Sequence, residues 1–330
     1  MKKYQLMMVV AVTMATFMFT TTSFAQNALV ASLSHGTTIK YFYGVTALKD
    51  AVDAAESGDI INLSEGIFGA ANIDKAITLR GAGIDIESPT YINGEFSIEI
   101  PSTDTRQLTM EGITCQNKVT LKGSFNSPCF VKNQIQQIAG YDETDAVKNI
   151  TIVNCKVLDG VGVKGTSSVF LVNSFSGDIS RTETATVTAT NCVLYTYVGS
   201  GRFDNAQLYN CILSAPYGSP ESVLSETCQA VNCVSTRVNG RYYGNIFHTG
   251  CINCVYDAQG IINNVETFEL TDEAKESFKG TDGTEVGIYG GMKPYNPTPS
   301  YPIISSLTAD SQTDEDGGLN NVKVIVSNPK

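Results

Sequence analysis

Two aspartates at matching offsets, with arginines and tyrosines spread around them, stand in the middle of this chain, and these are the residue types best suited to chemistry. Counted from a recurring asparagine, Asp159, Asp178, Arg181, Tyr195, Tyr197, Arg202, Asp204, Tyr217, Arg237, Arg241, Tyr242 and Tyr243 fall on one flank of successive units. Asp159 and Asp178 each stand five residues after their asparagine, so adjacent units bring them together. A close carboxylate pair has the chemistry of acid and nucleophile in glycoside hydrolysis, or of a cation site that acidifies a uronate proton, with Arg181 or Arg237 alongside. Tyr195, Tyr197, Arg202, Tyr217, Arg241, Tyr242 and Tyr243 suit sugar contact: aromatic faces pack on pyranose C–H groups, and guanidinium forks grip carboxylates or sulfates. The plainer reading is a set of solvated turn residues. His248, in Tyr242-Tyr-Gly-Asn-Ile-Phe-His-Thr-Gly250, offers a general base or a structural histidine.

The elements that must position this flank form a repeat. Val131-Lys-Asn133, Val153-Asn154-Cys155, Val172-Asn173-Ser174, Thr190-Asn191-Cys192, Tyr209-Asn210-Cys211, Val231-Asn232-Cys233 and Ile252-Asn253-Cys254 recur about every twenty residues. Each unit is too short for a helical hairpin and alternates β-branched with small residues, which predicts one coil of β-strands per unit. Stacked coils place equivalent residues about 4.8 Å apart. A column of Asn133, Asn154, Asn173, Asn191, Asn210, Asn232 and Asn253 is then expected to bond amide to amide and to occupy left-handed bends. The following residue, usually Cys, is expected to fill a narrow interior.

Before the repeat, Thr46 to Glu56 predicts an amphipathic helix with Thr46 as cap and Gly58 as stop. Gly58-Asp-Ile-Ile-Asn-Leu63 and Ile73-Asp-Lys-Ala-Ile-Thr-Leu-Arg-Gly-Ala-Gly83 follow. This order, together with the asparagine repeat, resembles the right-handed parallel β-helix proteins of the pectate-lyase-like superfamily over most of the chain. The resemblance implies an all-β parallel solenoid with an N-terminal capping α-helix. It transfers no catalytic residue: Gly-His-Gly, Asn-Thr-Asp and Arg-x-Pro-x-x-Arg are all missing.

Lys2 and Lys3, the apolar run from Leu6 to Phe19 and Ser23-Phe24-Ala25 read as a Gram-negative export signal, leaving no later membrane span. The expected organisation is a signal over 1–25, an N-terminal segment over 26–45, the capped solenoid over 46–265 and a closing segment over 266–330. The protein is then expected in the periplasm, on the outer surface or outside the cell. The formal charge of −11 disfavours nucleic acid and acidic polyanions as partners. The nine cysteines are odd in number and five sit on the repeat, which favours stacked thiols over disulfides. Cys251-Ile-Asn-Cys254 as a redox pair, and Cys228, Cys233, Cys251 and Cys254 as a zinc set, are the lesser alternatives.

The polar stretch Ala139 to Ala146 is expected to leave the stack as a loop. Leu270 to Gly280 predicts a short helix capped by Thr271, and Val322 to Val326 a late strand. No cofactor is expected, although the acidic turn Asp310 to Asp316 has the oxygens for Ca²⁺. The sequence therefore points to a secreted or cell-surface protein that binds extended polysaccharide without catalysis. The alternatives are a polysaccharide lyase or glycoside hydrolase, and a structural or adhesive spacer.

Overall fold

The computed structural model describes residues 29–142, 144–179, 185–195, 205–214, 224–236, 247–308 and 323–327. Two eleven-stranded sheets are wound from one chain. In the first, nine parallel strands run from Ile60–Leu63 to Gln229–Val231, each hydrogen-bonded to the equivalent strand of the next coil. The second, from Gly66–Gly69 to Val234–Thr236, is parallel throughout. The chain thus alternates between two sheets, and the interior is filled from both. Ile152, Leu171, Ala189, Leu208 and Ala230 form one inward column, all buried.

This is the expected parallel β-solenoid. At the first end, helix α1 (Ala47–Ala54) buries Ala47, Leu48, Ala51 and Val52 over the opening. Thr46 does not cap it by a side-chain bond; its hydroxyl bonds Asp50 instead. The N-terminal segment expected over 26–45 contains a hairpin, Val30–His35 and Thr38–Tyr43, turned at Gly36-Thr37 and added antiparallel to the first sheet. His35 ties this hairpin to the first coil through Asp59 at 2.8 Å.

The asparagine column lies at the bend between the sheets. Asn154, Asn173, Asn191, Asn210, Asn232 and Asn253 all have φ between 44° and 56°, the left-handed region that asparagine tolerates. Asn133 departs from this pattern. Val131 pairs with Val153 and Gln134 with Lys156, so Lys132 (φ 54°) stands opposite Asn154 and Asn133 opposite Cys155. The ladder expected to start at Asn133 therefore starts at Asn154, and Asn133 heads the inward column instead.

That inward column, Asn133, Cys155, Ser174, Cys192, Cys211, Cys233 and Cys254, does more than fill space. The bend turns a backbone N–H inward, where only a side chain can accept it. Asn133 N–H donates to Cys155 Sγ, Cys155 N–H to Ser174 Oγ and Cys211 N–H to Cys233 Sγ, at 3.4, 3.1 and 3.4 Å. Each thiol or hydroxyl in turn donates to the carbonyl two residues earlier, as Cys211 does to Tyr209 at 3.2 Å. All nine cysteines are free thiols.

The asparagine amides do not bond chiefly to each other. Among the described residues one such contact is present, Asn253 to Asn232 at 3.5 Å. Asn173, Asn210 and Asn232 bond instead to residues 279–301, which run back along the bend as a strap, whereas Asn154 Oδ1 and Asn191 Nδ2 are buried without a hydrogen-bond partner. Asn232 donates to the Lys279 carbonyl at 3.0 Å, Asn210 accepts from Thr281 N–H at 2.8 Å, and Asn173 donates to the Ile288 and Gly290 carbonyls. Further along, Lys132 reaches the Thr298 carbonyl, and Glu111 accepts from Ser300 N–H. Tyr301 then donates to the Gly81 carbonyl beneath the Arg80 guanidinium.

Helix α2 (Asp272–Ser277), capped by Thr271 as expected, packs with Ile261, Leu270, Val286 and Ile288 on the outward residues Val193, Ile212 and Val234. This second small core fixes the strap laterally. Ile303–Thr308 and Lys323–Ser327 pair antiparallel as a separate two-stranded sheet. Among the described residues no helix is long and apolar enough to cross a membrane.

Candidate functional site

The expected catalytic pair sits on adjacent coils, but its register differs from equal counting. Lys156–Gly162 bulges after Val157, so Asp178 stands opposite Gly160, one residue beyond Asp159. The bulge is held by close backbone contact, since a Cβ on Gly177 would lie 2.2 Å from the Leu158 carbonyl oxygen. Asp159 is exposed. Tyr195 joins an aromatic row, with its ring 6.3 Å from Phe175, which stacks on Phe268 at 5.2 Å. Arg181, Tyr197, Arg202, Asp204, Tyr217, Arg237, Arg241, Tyr242 and Tyr243 lie outside the described residues, as does the acidic turn Asp310 to Asp316.

His248 is engaged at both ring nitrogens. Nε2 meets the Cys228 carbonyl at 2.9 Å and Nδ1 accepts from Gly250 N–H at 3.0 Å, so the main chain holds the ring at both nitrogens. Among the described residues no group of three or more His, Cys, Asp or Glu side chains is placed to hold a metal ion.

An open cleft of about 520 Å³ lies elsewhere, on the second sheet near the capped end. Its floor is built by three coils in register: Ile73 opposite Ile98, and Ile98 opposite Leu121. Inward isoleucine and leucine force the next residue outward, because successive side chains alternate. Asp74, Glu99 and Lys122 therefore stand in a row, and the main-chain ladder continues beneath them, with Glu99 N–H bonded to Ile73 O and Lys122 N–H to Ile98 O. Tyr141 is the fourth in the row, its N–H bonded to the Leu121 carbonyl at 3.0 Å.

The parallel row one step inside is polar as well. Asn72, Ser97 and Thr120 are in register, and Ser97 donates to Asn72 at 2.6 Å. Pro101, Ser102, Gly123 and Ser124 also line the cleft.

The loop expected to leave the stack at Ala139 to Ala146 leaves it only after Gly140, the end of strand Gln134–Gly140, and opens with Tyr141. Buried Asp145 accepts from Gly123, Tyr141 and Asp142 N–H groups at 2.7, 2.7 and 2.6 Å, folding the loop down beside the cleft. Lys122 Nζ rests 4.9 Å from the Tyr141 ring centroid, so cation and ring hold each other in place. Tyr141 remains two-thirds exposed. The result is a row about 14 Å long, three sheet spacings, that offers two acceptors, one cationic donor and one aromatic edge.

Compared with known proteins, the chain matches no family model and no curated sequence.

Proposed function

We propose that this is an exported, non-catalytic protein that binds extended polysaccharide, and that the glycan lies in the cleft along Asp74, Glu99 and Lys122, with the Tyr141 ring beside it. One observation carries the reading: donors, acceptors and an aromatic ring arranged linearly at the spacing of the coils. Such a row matches a linear chain of hydroxyl-bearing rings better than a compact ligand. The cleft's volume suits one or two sugar units, within the roughly 300–1,000 Å³ typical of ligand sites. The β-solenoid supports the reading because it is compatible with polysaccharide-binding proteins and presents a rigid, elongated face.

The second flank, from Asp159 to Tyr243, remains a candidate glycan surface of the same protein. Titration calorimetry with oligosaccharides of several linkages assigns the site. Binding lost in the double substitution Lys122→Ala with Tyr141→Ala, and kept in Arg241→Ala with Tyr242→Ala, supports the cleft. The reverse pattern moves the glycan to the flank. No binding across neutral, acidic and amino-sugar polymers defeats the proposal and leaves the spacer reading. Release of reducing ends or of an unsaturated product would convert the binder into a hydrolase or lyase.

A further inference from the structure

Among the described residues, the hairpin strand Thr38–Tyr43 is the outermost strand of the first sheet at the capped end, paired on one side only, with Val30–His35. Its pairing parity is fixed. Gly44 N–H donates to the Leu29 carbonyl at 2.9 Å, and the turn joins Thr38 to His35, so the even-numbered residues direct their main-chain groups to the partner strand. Ile39, Tyr41 and Tyr43 therefore point N–H and C=O groups at the open edge.

The same three residues carry exposed apolar side chains, at 54%, 57% and 66%, beside Val45 at 61% and Ile67 at 53%. Val45 is joined to this neighbourhood by its carbonyl, which accepts from Gly69 N–H at the end of the strand holding Ile67. An edge that combines unpaired main chain with exposed aromatic residues is a template for another strand.

We propose that the occupant is a second copy of this chain, with the two Thr38–Tyr43 strands paired antiparallel about a two-fold axis through Tyr41. Geometry and charge select this arrangement. Facing residues must lie on the same side of the joined sheet, so the residue numbers of each pair must sum to an even value. Centring on Lys40 would set two ammonium groups directly opposite each other. Centring on Tyr41 pairs Ile39 with Tyr43 and places each Lys40 beside the partner's Phe42. The odd-numbered residues then exchange about six main-chain hydrogen bonds.

Residues 38–45 contain no carboxylate, whereas the whole chain has a formal charge of −11. This edge is thus a surface where two acidic molecules approach without facing acidic rows. The five exposed side chains offer on the order of 600 Å² per copy, close to the roughly 800 Å² per partner of a standard interface. A symmetric contact also closes on itself, consuming the edge in a dimer rather than a fibre.

Sedimentation equilibrium of the full protein, with amide hydrogen exchange, tests the proposal. The expected result is a dimer. Amides of Ile39, Tyr41 and Tyr43 gain protection as protein concentration rises, while those of Lys40 and Phe42 are protected at every concentration. Tyr41→Lys, which puts like charges at the axis, and Tyr41→Pro, which removes the edge N–H, are both expected to be monomers with an unchanged circular-dichroism spectrum. A monomer at sub-millimolar concentration overturns the proposal. So does a dimer whose odd-numbered amides exchange at a concentration-independent rate, a readout that needs no variant to fold.

Discussion

Asn173 and Gly290, 117 residues apart in sequence, are joined by a 2.7 Å hydrogen bond from the asparagine amide to the glycine carbonyl. The same amide donates to Ile288 at 2.9 Å, and both contacts are buried. Asn173, like Asn210 and Asn232, is thus both a bend residue and a receptor for the returning strap.

These two roles separate by substitution. Asn173→Gly keeps the left-handed bend and deletes the amide, leaving two strap carbonyls unpaired, so a loss of about 1–3 kcal/mol is expected. Asn173→Ala adds the cost of a left-handed alanine, about 1–2 kcal/mol more. Urea unfolding measures both. Limited proteolysis of Asn173→Gly should show new cuts between residues 279 and 301, and equal stability of the two variants would contradict the division of roles.

Glu285 lies in the strap, with burial pushing its carboxyl above the usual range and the nearby Lys275 only partly opposing this. Its Oε2 is buried without a hydrogen-bond partner. A raised carboxyl binds its proton more tightly in the folded chain, so this residue favours folding below the unfolded-state value of 4.5. That advantage is lost as pH rises through the folded-state value. Glu285→Gln is therefore expected to stabilise the protein at pH 7, with the gain vanishing near pH 4. Thermal melts across that range decide the matter, and a pH-independent difference would contradict it.

The inward thiols are expected to be inert in the native protein. Burial pushes Cys115 and Cys155 up to about 12 and raises Cys211 and Cys233 as well, so few thiolates exist at pH 8. A thiol reagent should modify the partly exposed Cys129, Cys251 and Cys254 slowly and the rest only on unfolding. Cys211→Ser should cost under about 1.5 kcal/mol, because Ser174 already makes the same contacts in this column; Cys211→Leu overpacks it at about 1–3 kcal/mol. Chemical denaturation of the two variants gives the order.

In the cleft, Lys122→Ala removes both a donor and the cation that steadies Tyr141. Tyr141→Ala removes the exposed ring itself. Each is expected to weaken glycan affinity about tenfold, equivalent to about 1.4 kcal/mol, with unfolding midpoints nearly unchanged. Glu99→Gln keeps an acceptor and is expected to lose less. Calorimetry distinguishes these, and Tyr141→Ala binding as well as the parent would exclude the ring from the site.

The repeat made the solenoid legible because each coil needs one residue that accepts the left-handed bend, and asparagine marks it from Asn154 onward. Asn133 misled by chemistry rather than spacing: it is a polar residue one step along, where the neighbouring coils use Cys or Ser to accept an inward N–H. The asparagines' partners were illegible because the strap lies up to 117 residues away and its carbonyl groups leave no trace in side-chain pattern. Asp159 and Asp178 looked aligned until the bulge after Val157 shifted the count by one. The cleft was missed for the opposite reason. Its coils carry no asparagine at the left-handed bend, so the register that aligns Asp74, Glu99 and Lys122 has no marker in the sequence. The loop from Ala139 to Ala146 was the one signal available, and it did pick out the segment that delivers Tyr141.

The strap's direction has a consequence for how the molecule is made. Coils are added in the order in which the chain emerges, each able to settle on its predecessor, whereas the strip that clasps them is synthesised after them and meets the newest coil first. Fastening then proceeds backwards, from the Asn232 bend to the oldest strands at Gly81. A nascent chain halted before residue 279 would hold a stacked but unlatched spring, and only completed synthesis would close it from the far end to the near one.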